Sequence, residues 1–269
     1  MARLGNARKG TKLIHELICL IVGLFGLAMT SVALPADASS TIPTAISSAI
    51  ADPRRPADQV RLDSARKPAL VVAFSGVKAG DHVADFMPGN GYFTRILSDV
   101  VGPGGRVYAF IPKEQIANCP PSEIAGTQAV AHDPGFANVT LLSSSLDQYR
   151  MPEKLDLIWT AQNYHDLHDA FLGPANVTAL NKALFDSLKP GGVLLVIDHV
   201  AAPGSGLRDT ETLHRIDPVQ MRREIEAAGF VFESQSDVLR NAGDDHQRLV
   251  FDPAIRGQTD QVVFRFRRP

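Results

Sequence analysis

The sequence predicts an α/β protein with a doubly wound, mostly parallel sheet of seven strands that ends in an antiparallel hairpin. Three observations support this fold class. Short apolar runs alternate with helical periodicities along most of the chain. Residues 193–197 form an unbroken apolar run, which is typical of a strand covered on both faces. Two late strands, at 230–234 and 261–267, are joined by a loop without a predicted helix, which indicates an antiparallel end.

The other elements follow in chain order. A helix with a break near Pro68 is expected over 56–75, because proline interrupts helical hydrogen bonding. Turns rich in glycine or proline separate the later elements, which are strands at 83–86, 106–111, 139–142 and 155–160 and helices that begin near 93, 177 and 218. Arginines alternate with phenylalanines in the last strand, which predicts that the last two strands form a half-exposed hairpin at the edge of the sheet.

The centre of the chain is the stretch 83–93, which reads Val-Ala-Asp-Phe-Met-Pro-Gly-Asn-Gly-Tyr-Phe. This order predicts a strand, a glycine turn and the start of a helix. The glycines would let the backbone come close to a ligand, and the helix start offers free N–H groups. Thr94 stands where a dinucleotide-binding fingerprint has its third glycine. Taken alone, the pattern is equally typical of a tight turn between a strand and a helix.

Composition excludes some classes of protein. The chain has 269 residues, of which 45% are hydrophobic and 21% charged, so it is long enough to bury one sizeable core. The formal net charge of −2 and the absence of a basic run in the body of the chain argue against nucleic-acid binding. The two cysteines are Cys19 and Cys119, and Cys19 lies in the apolar N-terminal segment, so no internal disulfide is expected in the rest of the chain.

The N-terminal 38 residues resemble a secretory signal peptide. A basic start is followed by a nearly continuous apolar stretch at 17–34 and by Ala-Asp-Ala at 36–38, which suits a cleavage site. The alternative is an uncleaved membrane anchor. We therefore expect an exported protein, periplasmic or secreted, with no stable membrane insertion if the signal is cleaved. Residues 39–55 are expected to be a flexible lead-in, and residues 56–269 the functional domain.

Four motifs over residues 56–269 resemble the class I S-adenosylmethionine-dependent methyltransferases. In chain order they lie at 85–91, 104–109, 188–194 and 228–230. The segment Asn-Tyr-His-Asp-Leu at 163–167 and the segment at 251–260 resemble a subgroup of exported, predicted methyltransferases. The resemblance implies a Rossmann-like methyltransferase fold and a small-molecule substrate.

The resemblance also implies S-adenosylmethionine as the cofactor and suggests where it would bind. The candidate cofactor-binding residues are Asp85, Met87, Gly89, Gly91, Ile111, Leu146 and Asn163. Met87 stands where the family has a glycine, and Ile111 where it has the acid that holds both ribose hydroxyls. Losing that acceptor would cost about 1–3 kcal/mol of binding. Glu114, in the next element, is an acid that could swing in.

Histidines follow separate strands of the predicted sheet, and strand ends of this fold form the ligand side. His165 and Asp166 follow the fourth strand, His199 follows the fifth, and His214 lies before the next helix. A histidine with a pKa near neutrality can take a proton from a hydroxyl or amine nucleophile. His165 is the candidate general base, with Asp166 or Asp198 orienting it, and His199 is a further catalytic candidate. The alternative is that the His-Asp pair only pins its loop.

Two other functions use the same residues or the same fold. A divalent metal is possible, either between Asp166 and Asp198, as in catechol-type O-methyltransferases, or among His165, His199 and His214. A non-catalytic, exported small-molecule-binding protein is the other alternative, which the isoleucine at the ribose position favours.

The long connection at 237–260 allows two interpretations. It could form a lid in which Arg240 or Arg256 faces an anionic group, or a salt-bridged loop that fixes the last strands. The sequence does not predict the oligomeric state.

Overall fold

The computed structural model describes residues 42–173 and 175–269, so the predicted signal peptide lies outside the described residues. Seven strands form one sheet in the order β3-β2-β1-β4-β5-β7-β6. Their bounds are β1 (His82–Phe86), β2 (Arg106–Phe110), β3 (Val139–Leu142), β4 (Leu155–Ala161), β5 (Leu188–His199), β6 (Val231–Ser236) and β7 (Gln261–Arg267). The predicted fold class is confirmed.

Helices cover both faces of this sheet. Within the described residues the α-helices are α1 (Thr44–Ile50), α2 (Ala57–Val60), α3 (Asp63–Arg66), α4 (Pro68–Ser75), α5 (Tyr92–Val101), α6 (Lys113–Asn118), α7 (Ala125–His132), α8 (Val177–Ser187), α9 (Thr210–Leu213) and α10 (Pro218–Ala227). Across that part of the chain, no helix combines the length and apolar character needed to span a membrane.

Two apolar cores lie on opposite faces of the sheet because successive side chains of a strand point in opposite directions. On one face, Leu194 of β5 packs in a cluster with residues of α8 and α10, among them Leu184 and Ile225. On the other face, Trp159 of β4 packs with Leu97 of α5 and with residues of α1, α4 and α7. Strands β1, β2, β4 and β5 therefore have buried side chains on both faces.

Strand β7 does not lie at the edge of the sheet. It pairs antiparallel with β5 on one side and with β6 on the other, and Val263 and Phe266 are fully buried. The predicted edge hairpin is confirmed, because β7 and β6 end the sheet and β6 lies at its edge, but β7 is mostly buried instead of half-exposed. The arginines that suggested a wet face, Arg265 and Arg267, form ion pairs with Glu233 of β6.

The expected flexible lead-in at 39–55 contains helix α1. Ile46 and Ala49 of this helix are buried in the core with Val71 of α4, so the segment belongs to the folded unit that begins at residue 41. The prediction failed because only two residues of α1 are apolar and buried. So short a helix is stabilised by packing against the rest of the protein, which the sequence pattern does not show. The predicted break near Pro68 is confirmed, because Lys67 has a φ of 44° and separates α3 from α4.

The long connection at 237–260 is a salt-bridged loop. Arg240 and His246 both pair with Asp260, and Asp244 pairs with the fully buried Arg215. Arg240, one of the two arginines considered for a lid, is thus committed to a carboxylate. The loop fixes the start of β7 to the segment that precedes α10.

Candidate functional site

The glycine loop after β1 has a strained backbone. Met87, Gly89 and Gly91 all have positive φ values, of 57°, 55° and 73°. This conformation suits glycine but costs a residue with a side chain about 1–2 kcal/mol. Asn163 offsets part of that cost, because its Nδ2 donates a hydrogen bond of 2.7 Å to the carbonyl of Met87. Thr160 contacts the amide oxygen of Asn163 and fixes which way the amide points.

Asp85 joins strand β1 to helix α5, the two elements on either side of the loop. Its side chain is buried, and the Thr94 hydroxyl donates to Asp85 Oδ2 at 2.6 Å. Burial raises the pKa of Asp85 to about 7 although the hydrogen bond from Thr94 acts in the opposite direction. Thr94, the residue that breaks the dinucleotide fingerprint, therefore has a defined task, which the sequence pattern did not reveal.

Helix α7 and α5 hold the outer side of the loop. Thr127 donates to the carbonyl of Gly89 at 2.7 Å, and Asn90 Oδ1 accepts from the N–H of Gly126 at 2.9 Å. Arg95 Nη1 donates to the carbonyls of Asn90 and Gly91 at 3.0 Å. A Cβ on Gly126 would lie 2.4 Å from the carbonyl oxygen of Asn90, so α7 can approach this closely only through a glycine. The loop is pre-shaped by the protein itself.

After β2, an isoleucine occupies the position where the resemblance implies a ribose-binding acid. Ile111 is fully buried and offers no side-chain acceptor to a ribose. Glu114 of α6 instead turns toward the loop after β3, where its Oε1 accepts from the N–H of Leu146 at 3.1 Å. Glu114, the acid that could replace the missing one, thus lies beside Leu146, which is buried and is one of the candidate cofactor-binding residues. These residues fit an adenosine moiety only if Glu114 replaces the missing acid.

His165 is held between carboxylates. Asp198 Oδ1 lies 2.7 Å from Nδ1 of His165, and Asp198 Oδ2 accepts from its backbone N–H at 2.8 Å. Asp166 Oδ1 lies 3.0 Å from Nε2. Burial opposes protonation of His165, but the charges of Asp198 and Asp166 outweigh it and hold the pKa of His165 well above its ordinary value. In this arrangement both ring nitrogens of His165 already lie within hydrogen-bonding distance of a carboxylate.

His199 does not join His165 in one catalytic group. The two ring centroids are 6.2 Å apart, and His199 Nδ1 lies 2.8 Å from the hydroxyl of Thr259. Burial lowers the pKa of His199 to about 3. The predicted meeting of three histidines therefore holds for His165 and His214 but not for His199. Strand β5 turns His199 toward β7, while the neighbouring Asp198 faces His165.

The residue that takes the place of His199 is Asp169. His165, Asp166, Asp169 and His214 each offer one ligand atom, and these atoms lie within 4.8 Å of one another. We call these residues the four-residue cluster. Asp169 is 1% exposed, and neither of its carboxylate oxygens has a hydrogen-bond partner in the structure. Asp169 lies between two short 3₁₀ turns, at 165–168 and 170–172, and its side chain is buried there.

Sequence comparison finds relatives among known methyltransferases. No family model matches the chain. It is 29% identical over 142 residues to the ubiquinone/menaquinone biosynthesis C-methyltransferase UbiE of Pseudomonas paraeruginosa, which is 51% of this chain and 49% of that protein. The enzyme of the same name from Ectopseudomonas mendocina is 30% identical over the same length and coverage. The chain thus spans about half the length of the curated relatives it matches.

Solved structures extend the likeness to the whole sheet. A SAM-dependent methyltransferase from Aquifex aeolicus matches with a TM-score of 0.53 at 20% identity, over 82% of this chain and 97% of that one. A second, from Mesorhizobium loti, matches with a TM-score of 0.54 at 17% identity, over 77% and 100%. The [4+2]-cyclase SpnF matches with a TM-score of 0.54 at 19% identity, over 81% and 84%.

The fold is that of the class I methyltransferases. The chain shares this fold with SAM-dependent methyltransferases of known structure, and about half of it is similar in sequence to the UbiE proteins. The methyltransferase fold that the four sequence motifs implied is confirmed at the level of the fold. Membership in an exported subgroup stays a prediction.

Proposed function

We propose that the protein is an S-adenosylmethionine-dependent methyltransferase that acts on a small-molecule nucleophile. The observation that carries the proposal is the glycine loop, whose three positive-φ residues are held in place by Asn163, Thr127 and the buried Asp85. Strain that a protein maintains at the end of a strand is typical of a ligand-binding backbone. The same edge of the sheet is where open α/β folds bind their ligands.

The chain's own residues would have separate tasks. The cofactor, when bound, supplies a methyl group activated by a sulfonium. The loop at Gly89 and Gly91 would contact its methionine end, with Met87 narrowing the space there. Glu114 would accept hydrogen bonds from the ribose in place of the missing acid at Ile111, and the N–H of Leu146 would then become available to the adenine.

The proposal assigns no proton-accepting role to the two histidines of the candidate site. Both ring nitrogens of His165 already lie within 3.0 Å of a carboxylate, and a base with a pKa of about 3, such as His199, is too weak to take a proton from a hydroxyl or amine. A nucleophile that reacts without help from these bases fits the geometry better. Carbon methylation, the activity in the name of the similar UbiE proteins, replaces a hydrogen on the methylated carbon, so it would need a proton acceptor other than these two histidines.

A non-catalytic binding protein is the second candidate function. The burial of Ile111 at the ribose position favours it, because this isoleucine removes the acceptor on which the family relies. The two candidates differ in one product. S-adenosylhomocysteine would form together with a methylated compound when a panel of small molecules is incubated with a methyltransferase, and not with a binding protein.

Calorimetric titration of the full chain with S-adenosylmethionine tests the cofactor assignment. We expect binding in the micromolar range, and at least a tenfold loss in Gly89→Val because valine at a φ of 55° is strained. Gly80→Val is the matched control: Gly80 also has a positive φ, of 83°, and an added Cβ would meet nothing within 4 Å. Glu114→Gln should weaken binding about tenfold or more if this carboxylate holds the ribose. No binding at millimolar ligand would exclude the cofactor.

Export is also part of the proposal, and it rests on the basic and apolar segments of residues 1–38. We expect the protein to be recovered outside the cytoplasm with a new N-terminus near residue 39. N-terminal sequencing of that protein would check it, and an intact Met1 in a membrane fraction would indicate the anchor instead.

A further inference from the structure

We propose that the four-residue cluster of His165, Asp166, Asp169 and His214 is a binding site for a divalent transition metal, with Zn²⁺ as its probe. The site differs from the two arrangements that the sequence suggested. His199 is not part of it, and Asp198 lies behind His165 instead of facing the cluster. The inference concerns metal binding and does not depend on methyl transfer.

The spacing of the ligand atoms suits such an ion. His165 Nε2 lies 3.0 Å from Asp166 Oδ1 and 3.2 Å from His214 Nδ1, and His214 Nδ1 lies 3.5 Å from Asp166 Oδ1 and 3.9 Å from Asp169 Oδ2. Ligands about 2.0–2.2 Å from a tetrahedral zinc are about 3.4 Å from one another. These four separations lie within about 0.5 Å of that value, and the other two are no longer than 4.8 Å, so the ligand atoms would draw closer together around an ion.

The surroundings of His165 are those of a metal ligand. Asp198 accepts the hydrogen on Nδ1, which leaves Nε2 directed at the cluster. Carboxylates placed in this way behind a histidine fix its tautomer and orientation in many metal sites. Asp198 is itself fully buried and also accepts from two backbone N–H groups, those of His165 and His199, so its position is rigid.

Asp169 supplies the independent observation. A buried carboxylate with no hydrogen-bond partner on either oxygen is costly, and buried charges are normally paired or bound to a metal. Asp166 and Asp169 bring two carboxylates to the cluster, whose charges a divalent ion would neutralise. Imidazole nitrogens mixed with carboxylate oxygens suit zinc and its neighbours better than magnesium or calcium.

The cluster is open on one side only. The side chains of His165 and Asp169 are 3% and 1% exposed, whereas those of Asp166 and His214 are 15% and 25% exposed. A metal held here would therefore keep a face toward solvent, where a water or an oxygen atom of a small molecule can bind. The ring of Phe251 packs 5.0 Å from that of His214 and borders this opening.

Titration of metal-stripped full chain, purified without a histidine tag, with ZnCl₂ tests the site. We expect one equivalent to bind, and Asp169→Asn and His214→Gln each to weaken the affinity at least tenfold. His168→Gln is the matched control, because this nearby histidine pairs with Glu224 outside the cluster. Equal affinity in Asp169→Asn and the unaltered chain, or several weak equivalents unchanged by every variant, would overturn the proposal.

A second measurement separates a ligand from a structural residue. If Asp169 is a metal ligand, Asp169→Asn should raise the melting temperature of the metal-free protein, because it removes a buried carboxylate without a hydrogen-bond partner. The same variant should abolish the rise in melting temperature that zinc produces. A purely structural Asp169 would give a lower melting temperature without metal and an unchanged response to zinc. Binding of Co²⁺ should give the visible bands of a four- or five-coordinate ion, and a spectrum equal to aqueous Co²⁺ would contradict the site.

Discussion

Replacing Arg215 by methionine is expected to lower the free energy of unfolding by about 3–5 kcal/mol, because it leaves a buried carboxylate without its partner. Arg215 is fully buried and forms two hydrogen bonds to Asp244, of 2.8 and 3.1 Å. It also donates to the carbonyls of Val200 and Arg248, both at 2.9 Å. The guanidinium thus joins β5 to the loop before β7, and no uncharged side chain can make all four contacts.

Denaturation by urea at neutral pH measures this loss. Arg240→Met is the matched control, because Arg240 also pairs with a buried aspartate, Asp260, but its own side chain is 46% exposed. An exposed arginine contributes about 0–1 kcal/mol. Equal losses in the two variants would show that burial of Arg215 does not decide its contribution.

Changing Asp85 to asparagine is expected to remove a large part of the pH dependence of stability. Burial raises the pKa of Asp85 to about 7 from its ordinary value of 3.8, so the folded state holds its proton more tightly than the unfolded state does. The stability that this proton contributes is fully present below about pH 4 and is lost as the pH rises to about 7. Each unit of difference corresponds to about 1.4 kcal/mol, which gives roughly 4 kcal/mol over this window.

Asparagine cannot ionise, and its amide oxygen can still accept the hydrogen bond from Thr94. We therefore expect Asp85→Asn to be close to the unaltered protein in stability at pH 4 and more stable than it at pH 8. Urea denaturation at a series of pH values measures the difference. Asp58→Asn, at an exposed aspartate on α2, is the control. Parallel pH curves for the two variants would show that Asp85 does not carry the effect.

The sequence by itself was sufficient for the seven strands and for part of the site. Residues 139–142 and 261–267 were predicted as strands with the bounds that the structure shows, because apolar runs between turns are a local signal. The pairing of His165 with Asp198 was among the predicted alternatives. It follows from strand order alone, since Ala161 of β4 lies beside Ile197 of β5 and the residues after them must meet.

Only the tertiary structure decided the remaining features. The interior place of β7, the anchoring of α1, the burial of Asp169 and the separation of His199 from His165 all depend on which surface packs against which. The sequence does not record whether a charged residue faces solvent or a second carboxylate. Its environment is set by residues distant in the chain, here 45 positions between Asp169 and His214, and no local periodicity records such a contact.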